Sequence, residues 1–594
     1  MGIRLEAETG QEVMVDERKA FSWLTLEHVL YGAILLVGAI TRFIDLGRVP
    51  LSPDEALQAL AVWNTWQPGT DSIAIISPAY HSLTAPLSQV LGFSDALMRL
   101  VPAFFGLALV LLPWWIKQFT GRLGALIAAL LIAVSPILVI SSRTVDGSSI
   151  ALFAGFLLLV GWLNYQQSNR PIWLYTMSFT LGLGLTSATL FYSLIVTMSL
   201  AWIGQALLGP ALFRDDHEDR RPLYHPDTST LRNSALIFLG TFFIIGSGFL
   251  LNLGGIGATA RIFAEWIAAF LAPADVQDWL RPISALIRYE MILLLLGGSA
   301  VVWATWRGKP FPMLLVYWMV SALLLLFVQR GVMSNTMALA LPGFLIIGSF
   351  VDAIMRADTG RLKWFIALTV AAVGVVAYVN LGRYSRLLPS ELDIDIRAGY
   401  YHLLLVFLAI VVVLLVLVIL WSGQRRASVQ GLIIGLLVLL VGYSWSTALW
   451  LGKEAANDPR EPWVTSASDD DIRLLTSTIK QVSWQVKGSD SDLDIYSTID
   501  NPSLDWYLRE LKSFDKGIAL PLSITSSGLL TELDREPQLA SEYIGIDLGY
   551  SRPEGDYPVS PSQLLVWWLF HEAPTPLIEE RLIFWLRSDL AGVG

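Results

Sequence analysis

The chain has no cysteine among its 594 residues, which removes disulfides, thiol catalysis and cysteine-based metal sites together. Its six histidines include no HxxxH or HxH spacing, leaving little for a zinc centre. Charge is scarce as well: 15% of residues are charged and 54% hydrophobic, with a mean hydropathy of +0.57, which excludes an ordinary soluble protein. No cleavable signal is visible. Residues 1–25 are polar and acid-rich, and the first apolar run is too long for a signal h-region, so it is expected to act as an anchor. Internal repeats and low-complexity tracts are missing too. The net charge of −10 is concentrated late: from residue 451 onward about 24 acids face about 12 bases. Such an acidic segment speaks against nucleic acid or an anionic membrane surface as its partner.

What the chain does have is apolar runs. About thirteen are long enough to cross a bilayer, near 28–46, 97–116, 123–141, 148–163, 172–187, 189–208, 233–252, 283–305, 311–329, 333–354, 363–380, 401–421 and 429–450. Lys and Arg fall after the even-numbered spans, at Lys117 and Arg122, Arg170, Arg307 and Lys309, and Arg425 with Arg426. By the positive-inside rule the N-terminus is cytoplasmic and the region after the last span extracytoplasmic. The expected fold is thus a polytopic α-helical membrane protein of the plasma membrane, with a C-terminal α/β domain. Its expected parts are a tail over 1–27, a membrane domain over 28–450 and the outer domain over 451–594. Within the last, 494–497, 518–522 and 543–546 read as strands, and 503–512 and 561–571 as helices. Hardly any ionisable residue lies near a span centre, which disfavours a proton-coupled transporter.

Three outer loops can hold structure, at 47–95, 253–282 and 381–399. In the first, 53–67 and 82–91 read as amphipathic helices lying in the interface. That loop carries Ser52-Pro53-Asp54-Glu55, an acidic pair at the membrane surface. The plainer reading is a capping box, with Ser52 as N-cap, Pro53 at N1 and Glu55 at N3. It accounts for Glu55 better than for Asp54, because any polar residue serves at N2. Arg143 and Asp146 lie three apart at the end of the third span, where a helix end would make them a surface ion pair. Arg99 lies four after Asp95, again a possible helix pair. Tyr80 and His81 sit between the two interfacial helices, and a lone His there is commonly structural. Arg261, Arg281, Arg330, Arg383 and Arg386 are further outer cations, expected mostly to snorkel. The run Arg214–Arg221 mixes Asp, Glu, His and Arg, and reads as a solvated loop. Tail tryptophans Trp463, Trp484, Trp506, Trp567, Trp568 and Trp585 read as a core aromatic set or as faces for sugar stacking.

Taken in order, Pro53-Asp54-Glu55-Ala56, then Ser94-Asp95-Ala96-Leu97-Met98-Arg99, then Ser142-Arg143-Thr144-Val145-Asp146, resemble the C-type (GT-C) membrane glycosyltransferases, such as protein O-mannosyltransferases. Asp505-Trp506-Tyr507-Leu508-Arg509, Trp567-Trp568 with His571-Glu572-Ala573-Pro574, and the ending from Glu580 to Leu590 extend the resemblance. They point to the prokaryotic flippase-activity-associated family of archaeal-type glycosylation. This chain departs from that pattern at Ser52 and at Ser77-Pro78-Ala79-Tyr80-His81. The resemblance implies transfer of a sugar from a polyprenyl-phosphate donor to a protein, lipid or glycan acceptor outside the membrane. It makes Asp54, with Glu55 and Asp146, the catalytic carboxylates, and Arg143 and Arg99 the donor phosphate ligands. Tyr80 and His81 would then touch donor or acceptor. Asp146 or Glu55 could also hold a divalent cation, although no full ligand set is visible. The alternative is a non-catalytic protein of the same fold that handles lipid-linked glycans or scaffolds an envelope complex.

Overall fold

The computed structural model describes residues 25–67, 73–212, 226–250, 252, 254–273, 276–387, 396–517, 526–532, 543–555, 561–573 and 575–591. The Arg214–Arg221 run and the strand expected at 518–522 lie outside these.

The helices of the first part are α1 (Leu26–Phe43), α2 (Pro53–Asn64), α3 (Pro78–Leu91), α4 (Leu100–Leu111), α5 (Arg122–Val134), α6 (Pro136–Ser141), α7 (Ser148–Ser168), α8 (Pro171–Leu185), α9 (Thr189–Leu212) and α10 (Thr228–Gly246). They continue with α11 (Gly254–Ala268), α12 (Val276–Tyr289), α13 (Gly298–Arg307), α14 (Pro310–Val328), α15 (Asn335–Met355), α16 (Leu362–Leu387) and α17 (Ile396–Lys453). Among the described residues nine helices are long and apolar enough to cross a membrane, or ten if the pair bent by 91° around Glu290 is one span. The expected runs and the observed helices differ in detail, for local reasons. The run at 123–141 is two helices, because Pro136 lacks the N–H that would continue α5. The run at 172–187 is the 15-residue α8. The last two runs are the two helices that make up α17, joined at Gln424 where the backbone leaves the helical conformation, and the second continues past the expected boundary at 450 to Lys453.

In the first loop α2 starts where its sequence dictates, but α3 begins at Pro78 rather than at Ser82, so Tyr80 and His81 lie within α3 and not between the two helices. Ser52 caps α2, accepting from the Glu55 N–H at 3.4 Å, and Glu55 accepts from the Ser52 N–H at 3.1 Å. Ser77 caps α3 by accepting from the Tyr80 N–H, and its hydroxyl donates to the Ser187 carbonyl at 2.6 Å, pinning α3 to the α8–α9 turn.

The tail is a six-stranded mixed sheet in the order β1-β5-β6-β4-β2-β3, with β1 Ala467–Ser468, β2 Ile495–Ser497, β3 Phe514–Lys516, β4 Gly528–Glu532, β5 Tyr543–Arg552 and β6 Glu580–Arg587. Only the β2–β3 and β2–β4 pairings are parallel. Helix α18 (Asp471–Lys487) buries Ile472, Leu475 and Ile479 against Leu548, Phe584 and Leu586 of the sheet. Helices α19 (Pro502–Leu508) and α20 (Pro561–Phe570) face the membrane part.

Two of the three tail motifs noted in the sequence sit at that contact. Asp95 accepts from Trp506 Nε1 (2.9 Å), the Tyr507 hydroxyl (2.6 Å) and Arg473 (2.5 Å). The expected Asp95–Arg99 pair is absent, because Asp95 is taken by the tail. The Leu51 N–H donates to Tyr507, and the Leu51 carbonyl accepts from Ser468 and Ser503. The tail thereby grips the residue that leads into α2. On the other side, buried Glu461 accepts from Tyr289 and from Trp567 Nε1, both at 2.7 Å. Trp568 donates to the Ile287 carbonyl.

Asp95→Ala leaves Arg473, Trp506 and Tyr507 without their acceptor. It should cost about 2–3 kcal/mol and speed protease cleavage within the tail, read by thermal melting and limited proteolysis. An unchanged melt with unchanged cleavage would refute this docking role.

Candidate active site

A cavity of about 270 Å³ lies where α1 ends, α2 begins and α6 turns into α7. Asp45, Asp54, Gln58, Arg143, Asp146 and Ser148 line it from the first loop and third span, Met333 and Met337 from near the start of α15. Gly452 borders it at the end of α17, and Trp463, Val464, Thr465 and Ser466 of the tail cover it.

Asp54 is exposed at this wall, on the first turn of α2. Its nearest polar partner is the Thr465 hydroxyl, donating at 3.5 Å. Among the described residues it has no ion pair.

Glu55, its neighbour, is buried and fully engaged. Oε1 accepts from Arg99 Nε (2.9 Å) and the Val145 N–H (2.8 Å), and Oε2 from Arg99 Nη2 (2.6 Å) and the Ser52 N–H. Arg99 spends its remaining donors on the carbonyls of Leu46, Val49 and Pro50. Every N–H of this guanidinium is thus committed within the chain. Both residues border the cavity, yet neither holds a free hydrogen-bonding group toward it.

Arg143 is different. Residues 142–147 form an irregular turn rather than a helix end, so the expected Arg143–Asp146 pair does not form. Arg143 donates only to carbonyls, those of Thr41, Arg42 and Ile44 from Nη1 and of Asp45 from Nη2. It caps the C-terminus of α1, where a cation suits the helix dipole. Asp45 takes the left-handed conformation (φ 55°), which its short polar side chain tolerates. Burial, then the charge of nearby Arg99, push the Arg143 guanidinium down to about 10, so it stays a cation at neutral pH. Among the described residues it has no carboxylate within ion-pair distance.

Asp146 accepts from the Ser148 N–H (3.0 Å) and hydroxyl (2.7 Å). Burial lifts its carboxyl to about 6, against those two hydrogen bonds and with a smaller push from Glu55. Asp54, Arg143 and Asp146 therefore share one cavity as groups without ionic partners. Tyr80 and His81 do not line it. The Tyr80 hydroxyl donates to the Met98 carbonyl at 2.9 Å, and the His81 ring is bonded to the Thr65 hydroxyl at 2.8 Å. Of the outer arginines, Arg261 reaches the Ile75 carbonyl, Arg281 the Pro462 carbonyl and Glu554, and Arg330 the Trp279 ring. Among the described residues no three His, Asp or Glu are grouped so as to hold a metal ion.

Several residues that shape the site went unread in the sequence. Buried Arg42 donates to the Ile132 and Ala133 carbonyls at 3.0 Å, covering the end of α5 that Pro136 leaves open. Buried Glu290 accepts from Ser135 and from the Ile137 N–H at the start of α6. The signal was there in Ser135-Pro136, which interrupts an apolar run and leaves carbonyls to be capped.

No family model matches the chain, and no curated protein matches it. Among solved structures it is similar to ArnT from Cupriavidus metallidurans bound to undecaprenyl phosphate, at 16% identity and a TM-score of 0.46, over 83% of this chain and 86% of that one. It is similar to the Archaeoglobus fulgidus oligosaccharyltransferase tethered with an acceptor peptide, at 11% identity and a TM-score of 0.43, over 82% and 63%. A third likeness is to the arabinofuranosyltransferase AftD from mycobacteria, at 12% identity and a TM-score of 0.44, over 94% and 40%. The likeness is one of overall fold.

Two outcomes follow from the geometry. Folded Asp146 holds its proton up to about pH 6, whereas an unfolded Asp releases it near about 3.9. The folded chain binds the extra proton between those values, so this group's stabilisation is full below the lower value and is lost as pH rises through the upper one. Asp146→Asn should flatten that slope in melting curves between pH 4 and 6; parallel curves would contradict it. A Cβ on Gly452 would lie 3.1 Å from Arg143 Nε and 3.2 Å from its Cδ. Because four carbonyls hold that guanidinium, Gly452→Ala should cost about 1 kcal/mol by overpacking, measured by chemical or thermal unfolding.

Proposed function

We propose that the protein is a membrane-embedded glycosyltransferase of the C-type, moving a sugar from a polyprenyl-phosphate donor to an acceptor on the outer side of the plasma membrane. In this reading the N-terminus is cytoplasmic and the tail domain lies outside. The observation that carries it is the cavity itself: an exposed carboxylate without an ionic partner, Asp54, shares its wall with a cation without an ionic partner, Arg143. That pairing suits a reaction that takes a proton at one point and releases an anion at another.

The acceptor hydroxyl or amide attacks the anomeric carbon as the bond from that carbon to the donor phosphate breaks. Asp54 takes the acceptor's proton. The phosphate leaves with the bonding electrons as polyprenyl phosphate and needs no acid; Arg143 stabilises its charge. One displacement inverts the anomeric centre, as in single-displacement glycosidases. Asp146 orients the acceptor. Glu55 and Arg99 act as positioning residues, because their hydrogen bonds are already spent on each other and on the backbone.

The test is transfer of radiolabelled sugar from polyprenyl-phosphate donors in proteoliposomes. Asp54→Asn should lower transfer at least about 100-fold while the melting temperature holds. Full transfer by the well-folded variant would rule out Asp54 as the base. No transfer by the wild type from any donor, with donor binding intact, would favour a carrier or scaffold.

A further inference from the structure

One polar group at the cavity wall is left over by this mechanism. Gln58 lies four residues after Asp54, and so on the same face of α2, one turn farther along. The two differ in depth: Asp54 is exposed and Gln58 is more than nine-tenths buried. Gln58 Nε2 donates to the Val145 carbonyl at 2.7 Å. A carbonyl can only accept, so this bond fixes which end of the amide faces Val145. The other end, Oε1, is buried and has no partner among the described residues. The neighbouring donor, the Val145 N–H, is already given to Glu55.

A buried acceptor without a donor is unfavourable, and folded proteins keep few of them. A carbonyl oxygen is met by a hydroxyl or an ammonium, never by a phosphate or carboxylate at neutral pH. We propose that Gln58 reads a hydroxyl of the transferred sugar and so decides which sugars the protein uses. The inference rests on the glycosyl-transfer reading above. The acceptor's reacting proton belongs to Asp54, at the exposed side of the wall. The sugar's own hydroxyls lie beyond the anomeric carbon, toward the interior, where Gln58 sits about 6 Å farther along the helix. Trp463, the one aromatic side chain lining the cavity, offers an apolar face to the same ring.

A site built to bond a hydroxyl rejects the analogue that lacks it far more strongly than it rejects a change of shape. The experiment therefore pairs a protein change with a substrate change. Polyprenyl-phosphate mannose, glucose and galactose, each with its single-deoxy analogues, are compared as donors for the wild type, Gln58→Met and Gln58→Lys. Lysine keeps a donor for Val145 but has no acceptor. For the wild type, one deoxy position should lower kcat/KM about 100-fold or more. In both variants that same position should matter less than about threefold, while penalties at the other positions stay as they were.

A merely structural role for Gln58, holding the Val145 turn, would lower transfer of every analogue by one factor and would overturn the proposal with the transferase reading intact. So would a wild type indifferent to every sugar hydroxyl, or coupling of Gln58 to a hydroxyl of the acceptor instead. Absence of transfer from every donor would remove both readings together. Melting temperature and monodispersity of each variant separate these outcomes from misfolding.

Discussion

The buried Glu55–Arg99 pair is the constraint from which the rest of the site takes its shape. Glu55 joins three parts of the chain: its own helix start at Ser52, the second span through Arg99, and the third-span turn through the Val145 N–H. Arg99 adds the turn and bend that lead into α2, through the carbonyls of Leu46, Val49 and Pro50. Ion pairs of this depth are poor sources of net stability, since desolvation offsets most of the attraction. Their effect is on geometry. Once both oxygens and all five N–H groups are matched, the first turn of α2 can sit in only one way against the turn carrying Asp146. Asp54 is left facing outward by the same helix start that turns Glu55 inward.

A second economy runs through the broken third span. Pro136 frees the carbonyls at the end of α5, and inside a low-dielectric slab such groups have to be met from within the protein. Arg42, on α1, meets them; Arg143, beyond α6, in turn meets the carbonyls at the end of α1. Each helix end is thus closed by a cation carried on the other element. Charges in such surroundings are costly unless used, and here the first use is to hold helices. Arg143 also borders the cavity, so one residue serves both the scaffold and the cavity wall.

Much of this was legible beforehand where the cause is local. Ser52-Pro53 announced the start of α2, whereas α3 begins at Pro78, four residues before the start expected at Ser82. Asp54, in the first loop, and Arg143 and Asp146, at the end of the third span, stood out by residue type and meet at one cavity. Pairings that depend on distant chain were not legible. Arg99 takes Glu55, 44 residues away, rather than Asp95 four residues away, because Asp95 is claimed by Trp506, Tyr507 and Arg473. Hydropathy windows average over a single proline, so the α5–α6 break and its caps were hidden inside one apolar run. In the tail, β5 was visible by its alternation, whereas α18 is amphipathic and polar enough to pass for loop. The Asp505–Arg509 motif stood out as a pattern, but that it grips Leu51 and Asp95 is a property of the folded chain alone.

The cavity is roofed by residues far along the chain from its floor: Thr465 and Asp54, which touch, are 411 residues apart. At ribosomal speeds of about 5–20 residues per second, roughly 20–80 s separate their syntheses. Asp54 therefore enters the membrane long before the segment that covers it exists. The site cannot close on a growing chain, and closure waits until the tail has been delivered to the side where α2 lies and has clasped Leu51. A fault in delivering the tail would leave the cavity unroofed, with every residue of its floor in place.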